Sequence, residues 1–112
     1  MLSSQEIEVR LERVLLCVEK PGRYVGGELN QVTKDWNQVK TRVALVFPDI
    51  YDIGLSNLGL AILYDALNRR PDVLAERAYA PWTDMEACLR RLELPLYALE
   101  SKRPLAEFDI LG

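Results

Sequence analysis

Val43-Ala44-Leu45-Val46-Phe47, followed by Pro48-Asp49-Ile50-Tyr51-Asp52-Ile53-Gly54, is the stretch whose reading decides the fold. Five apolar residues, rich in β-branched and aromatic side chains and closed by proline, predict a strand buried on both faces. The next seven, with Pro48, Asp49, Asp52 and Gly54 among them, are turn-rich, and they lead into an apolar helical pattern. A both-faces-buried strand, a turn and a helix are the opening of a βαβ unit.

Working outward, the helix is expected from about Ser56, a candidate N-cap, to Arg70, with Pro71 ending it. Leu58, Ala61, Ile62, Ala66 and Leu67 are expected on its inner side. Residues 73–79 predict a second strand. Thr83 and Glu86 form a capping-box pattern opening a helix through Arg91, with Met85, Cys88, Leu89 and Leu92 inward. Residues 96–99 and 108–112 predict a third and a fourth strand. Alternating strands and helices with short loops predict an α/β fold with a parallel sheet flanked by helices, Rossmann-like and of flavodoxin or cobalamin-binding-like type. The last strand runs to Gly112, where a doubly wound sheet would continue with a loop and helix. A truncated domain is therefore expected.

Toward the other end, residues 3–18 predict an amphipathic helix. Ser3 and Glu6 make a capping box, and Ile7, Leu11, Val14, Leu15 and Val18 form an apolar stripe. This stripe must pack on its own domain, on the rest of a longer protein or on a second copy. Pro21-Gly22 stops the helix, and residues 19–38 lack periodicity. That is long for a loop in a compact domain, so a functional loop and an arm wrapped on the domain are both open. The expected organisation is an N-terminal helix and arm over 1–40 and a Rossmann-like domain over 41–112.

The composition narrows the chemistry. The chain has 112 residues, 49% of them hydrophobic, and a net charge of −3. No basic face dominates, so nucleic acid is not an expected partner. Arg69-Arg70, Arg90-Arg91 and Lys102-Arg103 read as helix-end or solvated pairs. No apolar stretch approaches the ~20 residues that span a bilayer, and residues 1–16 are not a signal peptide. A soluble, cytoplasmic protein without membrane contact is expected. The sequence contains no histidine and two cysteines, Cys17 and Cys88. Histidine-dependent triads and imidazole metal sites are therefore excluded, and both thiols read as buried and free. No catalytic or metal-binding residue is assigned.

In open parallel sheets, ligands bind beyond the carboxyl ends of the strands. That rule makes Asp49, Tyr51, Asp52, Gly54 and Ser56, after the first strand, the candidate cofactor-binding residues. Trp82, after the second strand, joins them. It is placed either to stack on a flat ligand or to plug the core. The loop matches neither GxGxxG nor GxxxxGK[ST], so no nucleotide cradle is predicted. Turn and cap chemistry alone also accounts for these residues. Glu28 and Asp35 read as isolated carboxylates of the arm.

Four segments in order, EKPGRYVGGELNQVTKDW (19–36), ALVFPDIYDIGLSNLGLAILYDALN (44–68), VLAERAYAPWTDME (73–86) and PLYALESKRPLAEFDILG (95–112), resemble the N-terminal region of a family of radical SAM proteins. The family carries a cobalamin-binding-like domain ahead of a radical SAM barrel. The resemblance implies a parent Fe-S oxidoreductase that uses S-adenosylmethionine and a [4Fe-4S] cluster on CxxxCxxC. This sequence lacks that motif, so cluster and radical chemistry would belong to residues beyond Gly112. It also implies cobalamin as a cofactor. In the DxHxxG motif of cobalamin modules a histidine ligates cobalt. Here DIYDIG keeps Asp49, Asp52 and Gly54 but has Tyr51 at the histidine position. The expectation is an accessory, non-catalytic domain whose partner is the radical SAM domain. A homodimer through the surfaces that domain would cover is a further expectation. An interaction module that binds no cofactor is the alternative.

Overall fold

The computed structural model describes residues 3–16, 18–27, 31–55 and 57–112. Three strands, β1 (Thr41–Phe47), β2 (Val73–Tyr79) and β3 (Ile110–Leu111), form one parallel sheet in the order β2-β1-β3. β1 is central. Thr41 to Phe47 register with Val73 to Tyr79, and Val43 and Ala44 with Ile110 and Leu111. The fold is α/β with an open, three-stranded, Rossmann-like parallel sheet flanked by helices.

Helix α3 (Leu58–Asn68) covers one sheet face. Leu60 and Tyr64 pack there against Val43, Leu45, Val73 and Ala75, the alternate residues of two strands buried on both faces. Burying one such side chain contributes about 1.5–3 kcal/mol. The opposite face is closed by Ala44, Ala98 and Phe108 with Trp36 and Leu105. A second core joins α1 (Ser4–Val14) to α4 (Thr83–Arg91) through Ile7, Leu11, Val14, Met85 and Leu89. The stripe on residues 7–18 is thus satisfied within this chain, and the Ser3 hydroxyl accepts from the Glu6 N–H at 3.2 Å as its capping pattern predicts.

Several local expectations are overturned. Residues 96–99 are not a strand. Pro95 and Pro104 flank a reversal in which Tyr97 pairs antiparallel with Pro104 and Lys102 takes φ 61°. The chain turns back on itself instead of extending along β2. The helix after β1 is capped by Asn57, whose Oδ1 accepts from the Leu60 N–H at 2.9 Å; the expected cap, Ser56, lies outside the described residues. Its inner face is also rotated from expectation: Leu58, Ala61, Ile62 and Ala66 face outward, and Leu67 is half-buried. The helix is apolar nearly all round, so periodicity favoured the wrong stripe. A short helix, α2 (Tyr51–Gly54), forms where only a turn was expected. Thr83 begins α4 without a capping box. Trp82 holds the cap position and has no side-chain cap, while Glu86 pairs with Arg90.

Candidate functional site

The carboxyl ends of β1 and β2 lie where the sequence places the ligand edge, and the arm runs across them. A 3₁₀ turn, Pro21–Arg23, brings Arg23 onto Asp52 of α2. Arg23 Nε and Nη2 donate to the two Asp52 oxygens at 3.0 and 3.2 Å, and Lys20 adds a bond at 3.4 Å. The Arg23 hydrogen bonds hold the Asp52 carboxyl below its usual range. The same guanidinium lies over the Trp82 ring, 5.6 Å from its centroid. A cation over an exposed indole contributes about 0.5–1 kcal/mol.

Tyr24 follows and is buried. Its hydroxyl accepts from the Trp82 N–H at 3.3 Å, and its carbonyl accepts from the Tyr97 hydroxyl at 3.0 Å. Beneath it, Tyr51 and Tyr79 meet edge to face at 5.6 Å. Gly54 is needed there because a Cβ would stand 2.3 Å from the Tyr79 ring. The cavity left among Tyr24, Tyr51, Tyr79, Tyr97 and Met85 is about 20 Å³, space for one water. Beside it, a groove of about 280 Å³ runs between Pro81, α4 and Leu96, with the Glu86–Arg90 ion pair among its lining residues.

Asp49, Tyr51, Asp52 and Gly54 are therefore brought together, with Trp82 opposite. Asp49 is exposed and caps the turn, its Oδ1 accepting from the Ile50 N–H at 2.7 Å. Trp82 is 48% exposed, which does not match a closed core plug. Ser56 lies outside the described residues, as do Cys17 and Glu28. Cys88 is buried and free. Asp35 is no isolated carboxylate, since its Oδ1 accepts from the Asn37 N–H at 3.0 Å.

These residues do not fit a corrin. Arg23, Tyr24, Tyr51 and Tyr79 occupy the edge and leave a cavity of only about 20 Å³. Among the described residues, no group of three or more His, Cys, Asp or Glu side chains could hold a metal ion. Two cysteines also cannot supply the thiolates of a [4Fe-4S] cluster. No helix of the described residues is long and apolar enough to cross a membrane.

The arm is tied down further along. The Tyr64 hydroxyl accepts from the Val32 N–H at 2.8 Å. Lys34 Nζ donates to the carbonyls of Asn68, Arg70 and Val73 at 2.8, 2.9 and 2.6 Å, tying the arm to the end of α3, the turn after it and the start of β2. Trp36 meets Phe108 edge to face and stacks under Arg103 at 4.3 Å. Over its described residues the 19–38 segment lies against the domain as an arm.

Sequence reasoning passed over the charged centre of β2. Arg77 donates to Glu100 through its backbone N–H and its Nε, both at 3.0 Å, with both side chains buried, and its guanidinium lies 4.1 Å from the Tyr64 ring centroid. On the other face, Glu76 accepts from the Ser101 hydroxyl at 2.6 Å and its N–H at 3.1 Å. Burial pushes the Glu76 carboxyl up to about 6. Adjacent Glu and Arg inside an otherwise apolar strand were the available signal.

Among the described residues, α3 carries several exposed large aliphatic side chains. Leu58 is 72% exposed, Ile62 58% and Leu63 54%. Ile53 and Leu55, just before α3 in the chain, are exposed too, and Ile110 and Leu111 are exposed on the edge strand β3.

Residues 59–112 match the family model of radical SAM proteins, N-terminal. The match starts in the first turn of α3 and takes in β2, α4 and β3, while α1, the arm and β1 lie outside it. It supports a radical SAM N-terminal region. No curated protein and no solved structure matches the chain.

Proposed function

We propose that this chain is an accessory, non-catalytic domain of a radical SAM [4Fe-4S] oxidoreductase, and that it docks the catalytic part of that enzyme through the outer face of α3. The exposed aliphatic side chains Leu58, Ile62 and Leu63 of α3, with Ile53 and Leu55 just before it in the chain, carry this reading. Exposed apolar surface of this kind marks interaction sites on otherwise polar domains. The family match adds a reason for a radical SAM partner. Cluster and S-adenosylmethionine then belong to that partner region.

The test uses the longer protein, nicked by protease after this domain and passed over a sizing column. The two parts of the unaltered protein are expected to elute together, and those of the Leu58→Glu/Ile62→Glu variant to separate. Co-elution of the variant's parts would count against the docking face.

Cobalamin is the finer reading that the family resemblance carries. The filled edge favours the interaction reading over it, because a corrin would have to displace Arg23 and Tyr24 from their partners. Anaerobic titration with hydroxocobalamin is expected to leave the visible spectrum of the ligand unchanged. A saturable change would put the cofactor reading first.

A further inference from the structure

The two edges of the sheet differ. Along β2, the backbone groups of Val73, Ala75 and Arg77 turn away from β1, and each is met by a partner that is not a strand. The Val73 N–H donates to the Arg70 carbonyl at 3.3 Å, and the Val73 carbonyl accepts from the Lys34 amine at 2.6 Å. Asn68 Oδ1 accepts from the Ala75 N–H at 2.9 Å and its Nδ2 donates to the Ala75 carbonyl at 3.0 Å, so one side-chain amide stands in for a strand. Glu100 accepts from the Arg77 N–H at 3.0 Å, and the Leu99 N–H donates to the Arg77 carbonyl at 2.8 Å. An edge closed in this way offers no groups to another strand.

The edge at β3 lacks such closure. Gly112 donates to the Ala44 carbonyl at 3.0 Å and accepts from the Val46 N–H at 2.7 Å. By the alternation of a strand, the N–H and C=O of Leu111 therefore point away from β1. Among the described residues, no side chain caps them as Asn68 and Glu100 cap β2. The side chains are open as well. Ile110, in register with Val43, lies on the sheet face that α3 packs against, yet is 51% exposed. Leu111, in register with Ala44, lies on the opposite face and is 57% exposed. Parallel strands are ordinarily covered on both faces, and β3 leaves an exposed aliphatic on each.

We infer that β3 is a site of strand addition, where an extended, apolar segment of the radical SAM partner region pairs with the Leu111 backbone as a fourth strand. This rests on the docking proposed above and adds its mode. Two residues of open edge offer too few hydrogen bonds to hold a free peptide or a second copy by themselves. A partner already seated on α3 supplies the strand at high local concentration, and Ile110 opens on the same side of the sheet as that helix.

The experiment is hydrogen exchange, read amide by amide by mass spectrometry, on the 112-residue chain and on the longer protein. The Gly112 amide, already bonded to Ala44, is the control for fraying. In the longer protein the Leu111 amide is expected to slow by about tenfold or more beyond any change at Gly112. A Leu111 amide that stays fast beside a protected Gly112 would overturn strand addition. So would protection in the 112-residue chain that grows with its concentration, because a second copy would then be the occupant. The Leu58→Glu/Ile62→Glu variant separates this result from the docking itself. If the nicked variant falls apart while the unaltered longer protein keeps Leu111 fast, the α3 face docks and only the added strand is lost. If the nicked variant holds together and Leu111 is protected, the strand stands and the α3 face is lost.

Discussion

Glu76 makes the folded state sensitive to pH. Its carboxyl is shifted from 4.5 to about 6 by burial, so the native chain holds that proton more tightly than the unfolded chain does. The corresponding stability is complete below pH 4.5 and is lost as pH rises through about 6. The size is about 2 kcal/mol, at about 1.4 kcal/mol for each unit. Glu76→Gln should therefore raise stability at neutral pH by up to about 2 kcal/mol and flatten its pH dependence. Urea melts across that range check this, and an unchanged slope would contradict it. Gly54 offers a test of opposite sign to helix propensity. Alanine in a helix is favoured over glycine by about 1 kcal/mol. Its Cβ at 2.3 Å from the Tyr79 ring should cost more, so Gly54→Ala is expected to destabilise by about 1–3 kcal/mol. Thermal melts of the variant decide it.

Helix α3 depends on a residue far from it in sequence. Lys34 satisfies the carbonyls of Asn68 at its end, Arg70 in the following turn and Val73 at the start of β2, and Lys34→Met would leave them without that donor. A loss of about 2 kcal/mol is expected, read by urea denaturation. Leu58→Glu and Ile62→Glu, on the outer face, should leave the stability of the 112-residue chain within about 0.5 kcal/mol. Which elements exist was legible where one signal ruled. β1 and β2 declared themselves as apolar runs, α4 by its stripe and α1 by its cap. The facing of α3 was not legible, because a helix apolar on nearly every side gives no single stripe to bury. Its Tyr64 makes long-range contacts, with the Val32 N–H and under the Arg77 guanidinium, which local periodicity cannot see. The reversal at residues 96–104 was hidden for a related reason. Its apolar composition resembles a strand, but two prolines and Lys102 at positive φ turn it back.

At the scale of the molecule, the arm joins the two cores and closes the sheet's ligand edge. The strand-end rule placed Asp49, Tyr51, Asp52, Gly54, Ser56 and Trp82 at one edge of the sheet as candidates. It could not reveal that Arg23 and Tyr24, more than twenty residues upstream, would fill the space between them. Asp52 and Trp82 both hold Arg23, so that edge is committed to internal contacts. Leu58, Ile62 and Leu63 on α3 are exposed aliphatic side chains that a partner can cover. The proposed docking predicts that a radical SAM region carried on the same polypeptide covers this face. The most direct measurement is the thiol-labelling rate of an Ile62→Cys variant, compared between the 112-residue chain at low concentration and the longer protein. Slowing by about tenfold or more in the longer protein is the predicted result for a side chain buried in an interface. Equal rates in the two proteins would contradict the docking of α3.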